Sequence, residues 1–396
     1  MRSNPLAYLD VELNDLRAQG LYRPLRVLDA EQKAHTSIDH RSVVNLSSNN
    51  YLGLTTHPRL RERAREALDT LGVGTGSVRT IAGTMAIHVE LERRLAAFKK
   101  TEAAVVFQSG FTANAGTVSS LLGRDDVIVS DELNHASIID GARLSRATIK
   151  VFPHRDVGAA RSILAELPRT QRTLLITDGV FSMDGDLGPL PALCDLADEF
   201  GCIMMVDDAH ASGVFGRQGR GTIDHFDMHG RVDVQVGTLS KALGALGGYV
   251  AGSRSLIDFL HRRARPFLFS TSHPPSVAAT CLAAVDVLES EPQWMEQLWE
   301  NTRFFKSGLQ ALGFDTGISE SPITPVVVGD GALAMTLSDQ LFEAGVFAQG
   351  IAFPTVAKGR ARVRTIVTAT HTRDELEFAL EAFGQVGRRL GIRGGA

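Results

Sequence analysis

Short apolar runs recur from about residue 100 onward, at 103–107, 127–130, 148–152, 173–177, 202–206, 232–236 and 248–251. Helical stretches such as 191–199 lie between several of them. Buried strands alternating with helices restrict this part of the chain to an α/β architecture with a largely parallel sheet, because parallel neighbours need long crossover connections. Most of the runs stop at polar chemistry. Ser109-Gly110 follow the first, Asp131 to His135 the second, Asp178 and Ser182 the fourth, Asp207 and His210 the fifth, and Thr238 the sixth. Open α/β sheets bind ligands beyond the carboxyl ends of their strands. Five strand ends therefore point to one candidate site.

The last of these ends carries Gly237-Thr238-Leu239-Ser240-Lys241. A lone lysine after a strand is ordinarily a solvated residue, and Asp-Asp-x-His after a strand is ordinarily a capped turn. Their combination fits pyridoxal phosphate. The Lys241 amine can bond to the cofactor aldehyde. The Asp207 carboxylate can pair with the pyridine nitrogen and keep the ring an electron sink. The hydroxyls of the lysine run can hold the phosphate.

Other segments have a functional and an ordinary reading. Ser109-Gly110-Phe111 opens a helix, whose free N–H groups suit a phosphate; the ordinary reading is a serine-capped turn. His135 can lie flat on a pyridine ring or be a satisfied core histidine. Arg362 and Arg364 share one face of a strand and suit a carboxylate, or form a solvated basic strand. The glycine-rich run 72–77 fits neither the Walker nor the dinucleotide spacing, and reads as tight backbone packing near a ligand or interface.

Leu6, Leu9, Leu13 and Leu16 fall on one face of an N-terminal helix that Gly20 can end. A helix over 274–289 is broken at Glu291-Pro292. Beyond it, strands at 324–328 and 362–368 and two or three helices make a smaller α+β unit. The expected division is an arm at 1–50, a large domain at 51–290 and a small domain at 291–396. The length of 396 residues agrees with more than one core. A hydrophobic fraction of 44% with 22% charged residues is that of a globular protein rather than a disordered one. A net charge of −4 gives no reason to expect nucleic acid. The three cysteines and the scattered histidines show no metal spacing. No apolar stretch is long enough for a membrane helix, and the expected location is the cytoplasm.

Taken together, the runs Ser48-Asn49-Asn50-Tyr51-Leu52-Gly53-Leu54, Ser109 to Asn114, Asn134-His135-Ala136-Ser137, Asp178 to Gly185, Val206 to His210 and Thr238 to Lys241 resemble the α-oxoamine synthase family. The resemblance implies a PLP-dependent transferase of fold type I, with a mostly parallel seven-stranded sheet in its large domain. It implies condensation of glycine or alanine with an acyl-CoA. Lys241, Asp207, His135 and His210 would be the catalytic residues. Ser109, Gly110, Phe111, Ser182 and Thr238 would join them around the cofactor. Asn49, Thr355 and Arg364 would bind substrate. Thr271 and Ser272 would reach the phosphate of the neighbouring subunit in a homodimer.

Within the family, residues 134–141 are similar to the 2-amino-3-ketobutyrate CoA ligases. That makes glycine with acetyl-CoA the expected substrate pair. Residues 207–214 lean toward the 8-amino-7-oxononanoate synthases, which implies alanine with a pimeloyl thioester as the alternative, or both activities. Asp208 stands where aminolevulinate synthase and serine palmitoyltransferase usually carry glutamate. An aminotransferase would use the same lysine and aspartate without CoA. A non-catalytic subunit of the same fold would typically lack the lysine.

Overall fold

The computed structural model describes residues 4–19, 22 and 25–392. Two early strands, β1 (His35–Ile38) and β2 (Arg41–Asn45), form a hairpin. The apolar runs become β3 (Ala103–Phe107), β4 (Val127–Asp131), β5 (Thr148–Phe152), β6 (Thr173–Asp178), β7 (Ile203–Asp207), β8 (Val234–Thr238) and β9 (Gly248–Gly252). These seven form one sheet in the order β3-β9-β8-β7-β6-β4-β5. β9 is antiparallel to both neighbours and the other pairings are parallel. The expected mostly parallel seven-stranded sheet is therefore borne out. β7 and β8 begin and end slightly later than predicted. Their polar ends stay in the ladder, with Asp207 opposite both Asp178 and Val236.

The strand alternation explains two of the cores. Ile128, Leu174, Ile176 and Met205 face one side, with Val118 and Ile138 from the helices Gly110–Leu121 and Ala136–Ser145. Val127, Val129, Leu175, Met204 and Val206 face the other, against Leu193 and Leu196 of the helix Leu190–Phe200. Burial on both faces is why these strands read as continuous apolar runs. β5 lies at the sheet edge and exposes most of its residues.

The helix Pro275–Ser290 closes this region. After it come β10 (Ile323–Gly329), β11 (Val346–Phe347), β12 (Gln349–Ile351) and β13 (Ala361–Ile366). β13 pairs with β10 and β12, while β11 joins the early hairpin through β2. Three helices, Gln293–Ala311, Gly331–Glu343 and Arg373–Arg389, accompany these strands. The N-terminal helix spans Tyr8–Ala18 and buries none of its residues. Its expected stop, Gly20, lies outside the described residues.

Candidate active site

Lys241 is held out by a tight turn between β8 and β9. The Thr238 hydroxyl donates to Gly247 O (2.8 Å) and accepts from Ser240 N–H (3.2 Å). The Ser240 hydroxyl accepts Gly247 N–H (3.0 Å). Both hydroxyls are thus committed to the turn, whereas the sequence suggested them as phosphate ligands. The lysine side chain reaches a cavity of about 220 Å³ that also meets Asp207, Asp178, His135, His210 and Ser182. Burial pushes the Lys241 amine down to about 8, against the pull of Asp207 and Asp178 and with help from the Arg364 charge. No hydrogen bond within the described residues holds that amine.

Asp207 ends β7 as a buried carboxylate. Asn114 Nδ2 donates to its Oδ2 (2.6 Å) and the Ala209 N–H to its Oδ1 (2.8 Å). Asn114 Nδ2 also donates to Ser137 Oγ (2.9 Å), which contacts His135 Nδ1 (2.8 Å). Ser137 N–H points at the same ring nitrogen (3.2 Å). A single relay therefore fixes His135, Ser137, Asn114 and Asp207. Burial lowers the His135 pKa, so its ring is neutral near pH 7. Asp178, beside Asp207 in the sheet, accepts the His135 backbone N–H (3.1 Å). Burial and the Asp207 charge raise its carboxyl well above the usual range.

Ser109 caps the helix Gly110–Leu121. Its hydroxyl accepts Thr112 N–H (3.1 Å), and Thr112 Oγ1 accepts Ser109 N–H (3.0 Å). Gly110 and Phe111 N–H lie in the first turn, where helices leave their donors unpaired, and both residues line the cavity. A side chain at Gly248 would come within 2.3 Å of Ser109 O, so glycine there lets β9 pass beneath this turn. Unpaired amides at a helix N-terminus suit a phosphate, and Asp207 suits a ring nitrogen. With the unpartnered Lys241 amine, this donor set fits pyridoxal phosphate.

The substrate residues expected from the sequence separate. Arg364 Nη1 donates to Ser182 O (3.0 Å), and its Nε has no partner. Asn49 Oδ1 is likewise buried and unpartnered. Arg362 shares the face of Arg364 but is spent on Met183 O (2.9 Å) and Asp184 Oδ1 (2.6 Å). Thr355 lines a different cavity, of about 1110 Å³, with Asp330 and Lys358. Thr271 and Ser272 also stand outside the Lys241 cavity. Ser272 Oγ and N–H donate to Ser77 O (3.3 and 3.1 Å), and Thr271 O accepts from Gln108 Nε2 (2.8 Å). A side chain added at Gly72, Gly74 or Gly76 would meet nothing within this chain, and positive φ at Gly72 and Gly76 accounts for two of these glycines; Thr75 and Ser77 of the same run contact Ser272.

Asn114 and Tyr51 received no role from sequence. Tyr51 OH lies 2.7 Å from His210 Nδ1. The available signal for Asn114 was a lone amide among the small and apolar residues Ala113, Ala115 and Val118.

The model of aminotransferase class I and II matches residues 41–383. The 8-amino-7-oxononanoate synthase of Symbiobacterium thermophilum is 60% identical over 386 residues, covering 97% of this chain and 98% of that one. 8-Amino-7-oxononanoate synthase 1 of Bacillus subtilis is 54% identical over 383 residues, with 97% and 98% covered. Among solved structures, serine palmitoyltransferase from S. paucimobilis with bound PLP and myriocin superposes with a TM-score of 0.93. It is 32% identical, with 98% of this chain and 100% of that chain covered. These relatives overturn glycine with acetyl-CoA as the leading substrate pair. The residues that favoured it, around His135 and Ser137, contact Asn114 and one another. They are tied to Asp207 through Asn114.

Proposed function

We propose, because the chain belongs to the aminotransferase class I and II family and is an α-oxoamine synthase, that it makes 8-amino-7-oxononanoate from alanine and a pimeloyl thioester. The carbon count supports this pair: a seven-carbon acyl group and three-carbon alanine, less one carbon dioxide, give the nine-carbon product. The observation that carries the chemistry is the unpartnered Lys241 amine facing Asp207 across a cavity bordered by a helix N-terminus. The product rests on 60% identity across 97% of the chain.

Pyridoxal phosphate supplies, when bound, an electron sink for the pair left at the amino acid α-carbon. Asp207 would face the ring nitrogen, held in place by Asn114 and the Ala209 N–H. Gly110 and Phe111 N–H would take the phosphate, with Ser109 and Thr238 shaping the turn around it. His135 would cover one ring face as a neutral imidazole. His210 and Ser182 would meet the phenolic oxygen.

The Lys241 amine would remove the α-proton. An amine near 8 is unprotonated in a usable fraction at neutral pH. Asn49 and Arg364 would bind the substrate carboxylate, with Thr355 a further substrate contact from the separate cavity it lines; the α-carbon would attack the thioester carbonyl, the thiol would leave, and the carboxylate would depart as carbon dioxide. We further propose a homodimer in which Thr271 and Ser272 complete the neighbouring site. The parts are an arm at 1–50, a cofactor-binding body at 51–290 and a smaller unit at 291–396. Among the described residues no helix is long and apolar enough to cross a membrane.

The test is thiol release by the holoenzyme from pimeloyl-CoA with alanine, with the product identified by mass. Release accompanied by 8-amino-7-oxononanoate is expected. Amino transfer to a keto acid with no thiol release from any acyl-CoA would replace this reading with an aminotransferase.

A further inference from the structure

Tyr51 and His210 form a pair beside the Lys241 cavity, which His210 lines. The phenol oxygen lies 2.7 Å from His210 Nδ1, and the rings meet edge-on at 83°. Tyr51 is 1% exposed and His210 7%. Two proton arrangements satisfy this contact. Either the phenol donates to a bare Nδ1, or Nδ1–H donates to the phenol oxygen.

The second arrangement needs another acceptor for the phenol hydrogen. Among the described residues Tyr51 OH has no second partner. The charge felt there is that of Arg364, whose guanidinium offers donors only. An unpaired buried O–H is costly, so the phenol must be the donor. The doubly protonated ring is excluded by its surroundings. Burial, then the charges of Lys241 and Arg364, hold His210 well below the ordinary histidine range. With Nδ1 bare and the ring neutral, the proton sits on Nε2. Among the described residues that nitrogen has no partner, and His210 lines the Lys241 cavity.

We propose that Tyr51 is a positioning residue whose phenol locks His210 as the Nε2–H tautomer, giving the cavity a fixed neutral donor for an acidic oxygen. The lock rests on the chain's own contacts; that the oxygen is the phenolic oxygen of pyridoxal phosphate rests on the function proposed above. The placement of Tyr51 is itself constrained. Its carbonyl accepts Ala369 N–H (2.7 Å) and its N–H donates to Asn49 O (2.9 Å). The loop bearing Asn49 thus also sets the protonation pattern of His210.

The first experiment uses the full chain, labelled with ¹⁵N-histidine and free of cofactor. Two-bond proton–nitrogen correlations report each ring's tautomer, and His210→Asn assigns the signal. The expected result is an Nε2–H pattern for His210 across neutral pH, lost or mixed in Tyr51→Phe. An Nδ1–H or imidazolium pattern in the unmutated chain overturns the proposal, as does an unchanged pattern in Tyr51→Phe. The unmutated spectrum decides even where the variant folds poorly.

The second experiment titrates the visible cofactor band of the holoenzyme. Tyr51→Phe should keep the band and shift its pH midpoint upward, because a weaker donor stabilises the phenolate less. A retained band with an unmoved midpoint overturns the fixed-donor role. If pyridoxal phosphate gives no band with the unmutated chain, the cofactor reading fails, while the nitrogen spectra still decide the tautomer.

Discussion

Lys241 is half-buried and its amine opens onto the cavity without a hydrogen-bond partner among the described residues, which contributes nothing to folding and is useful for chemistry. Lys241→Ala should therefore abolish turnover while leaving the melting temperature of the cofactor-free protein unchanged or raised. Calorimetry and an assay check the two halves. A lower melting temperature would show that the amine is held by something stabilising. Asp207→Asn should keep the fold and cut kcat by orders of magnitude, since an amide cannot hold a ring proton by charge. A fall below about tenfold, roughly 1.4 kcal/mol, would remove Asp207 from that role. Lys241, Asp207 and His135 were legible because each follows an apolar strand. Asn114 and Tyr51 were not, because their roles depend on partners 93 and 159 positions away in the chain.

The element that carries Ser182 is fixed by an ion cluster beneath it. His154 contacts Asp131 Oδ1 (3.0 Å) at the end of β4 and Asp186 Oδ2 (2.8 Å) in the loop after β6. Arg155 reaches the same Asp186 oxygen (3.3 Å). Burial opposes a charge on His154, but the two carboxylates outweigh it and raise the ring to about 9 from an ordinary 6.5. A raised folded-state value stabilises fully below 6.5, and that contribution is lost as pH climbs through 9. Allowing for partial exposure, the loss should be on the order of 2 kcal/mol. Urea midpoints against pH should show this slope in the unmutated chain and a flatter one in His154→Gln; equal slopes would mean that the cluster is not the source. The strands around this cluster were legible from apolar runs alone. The cluster was not, since His154 follows the edge strand β5 and meets Asp186 only through the parallel crossover.

For the molecule as a whole, the proposed sharing of sites rests on residues that lie away from the cavity of their own chain. Thr271 and Ser272 stand outside their own chain's cavity, and the helix Tyr8–Ala18 exposes Leu9, Leu13 and Leu16. If sites are shared, mixing Lys241→Ala chains with a Thr271→Ala/Ser272→Ala variant should restore activity through hybrid dimers. Full activity in a monomer would rule that out. Acyl choice was illegible for a related reason. The motifs that carry the family resemblance surround the cofactor, and none of them is known to touch an acyl chain. The two amino acids differ by one methyl, which a pocket separates by only about 10–200-fold. Glycine should therefore replace alanine with a modest loss of kcat/KM. The acyl groups differ far more. Pimeloyl adds several methylenes, each worth about 0.8 kcal/mol when buried, and a terminal carboxylate that a built site must pair. Pimeloyl-CoA should exceed acetyl-CoA by more than about a hundredfold in kcat/KM with alanine held constant. Comparable values for the two thioesters would show that the acyl site does not read chain length, and the assignment to 8-amino-7-oxononanoate synthesis would fall with it.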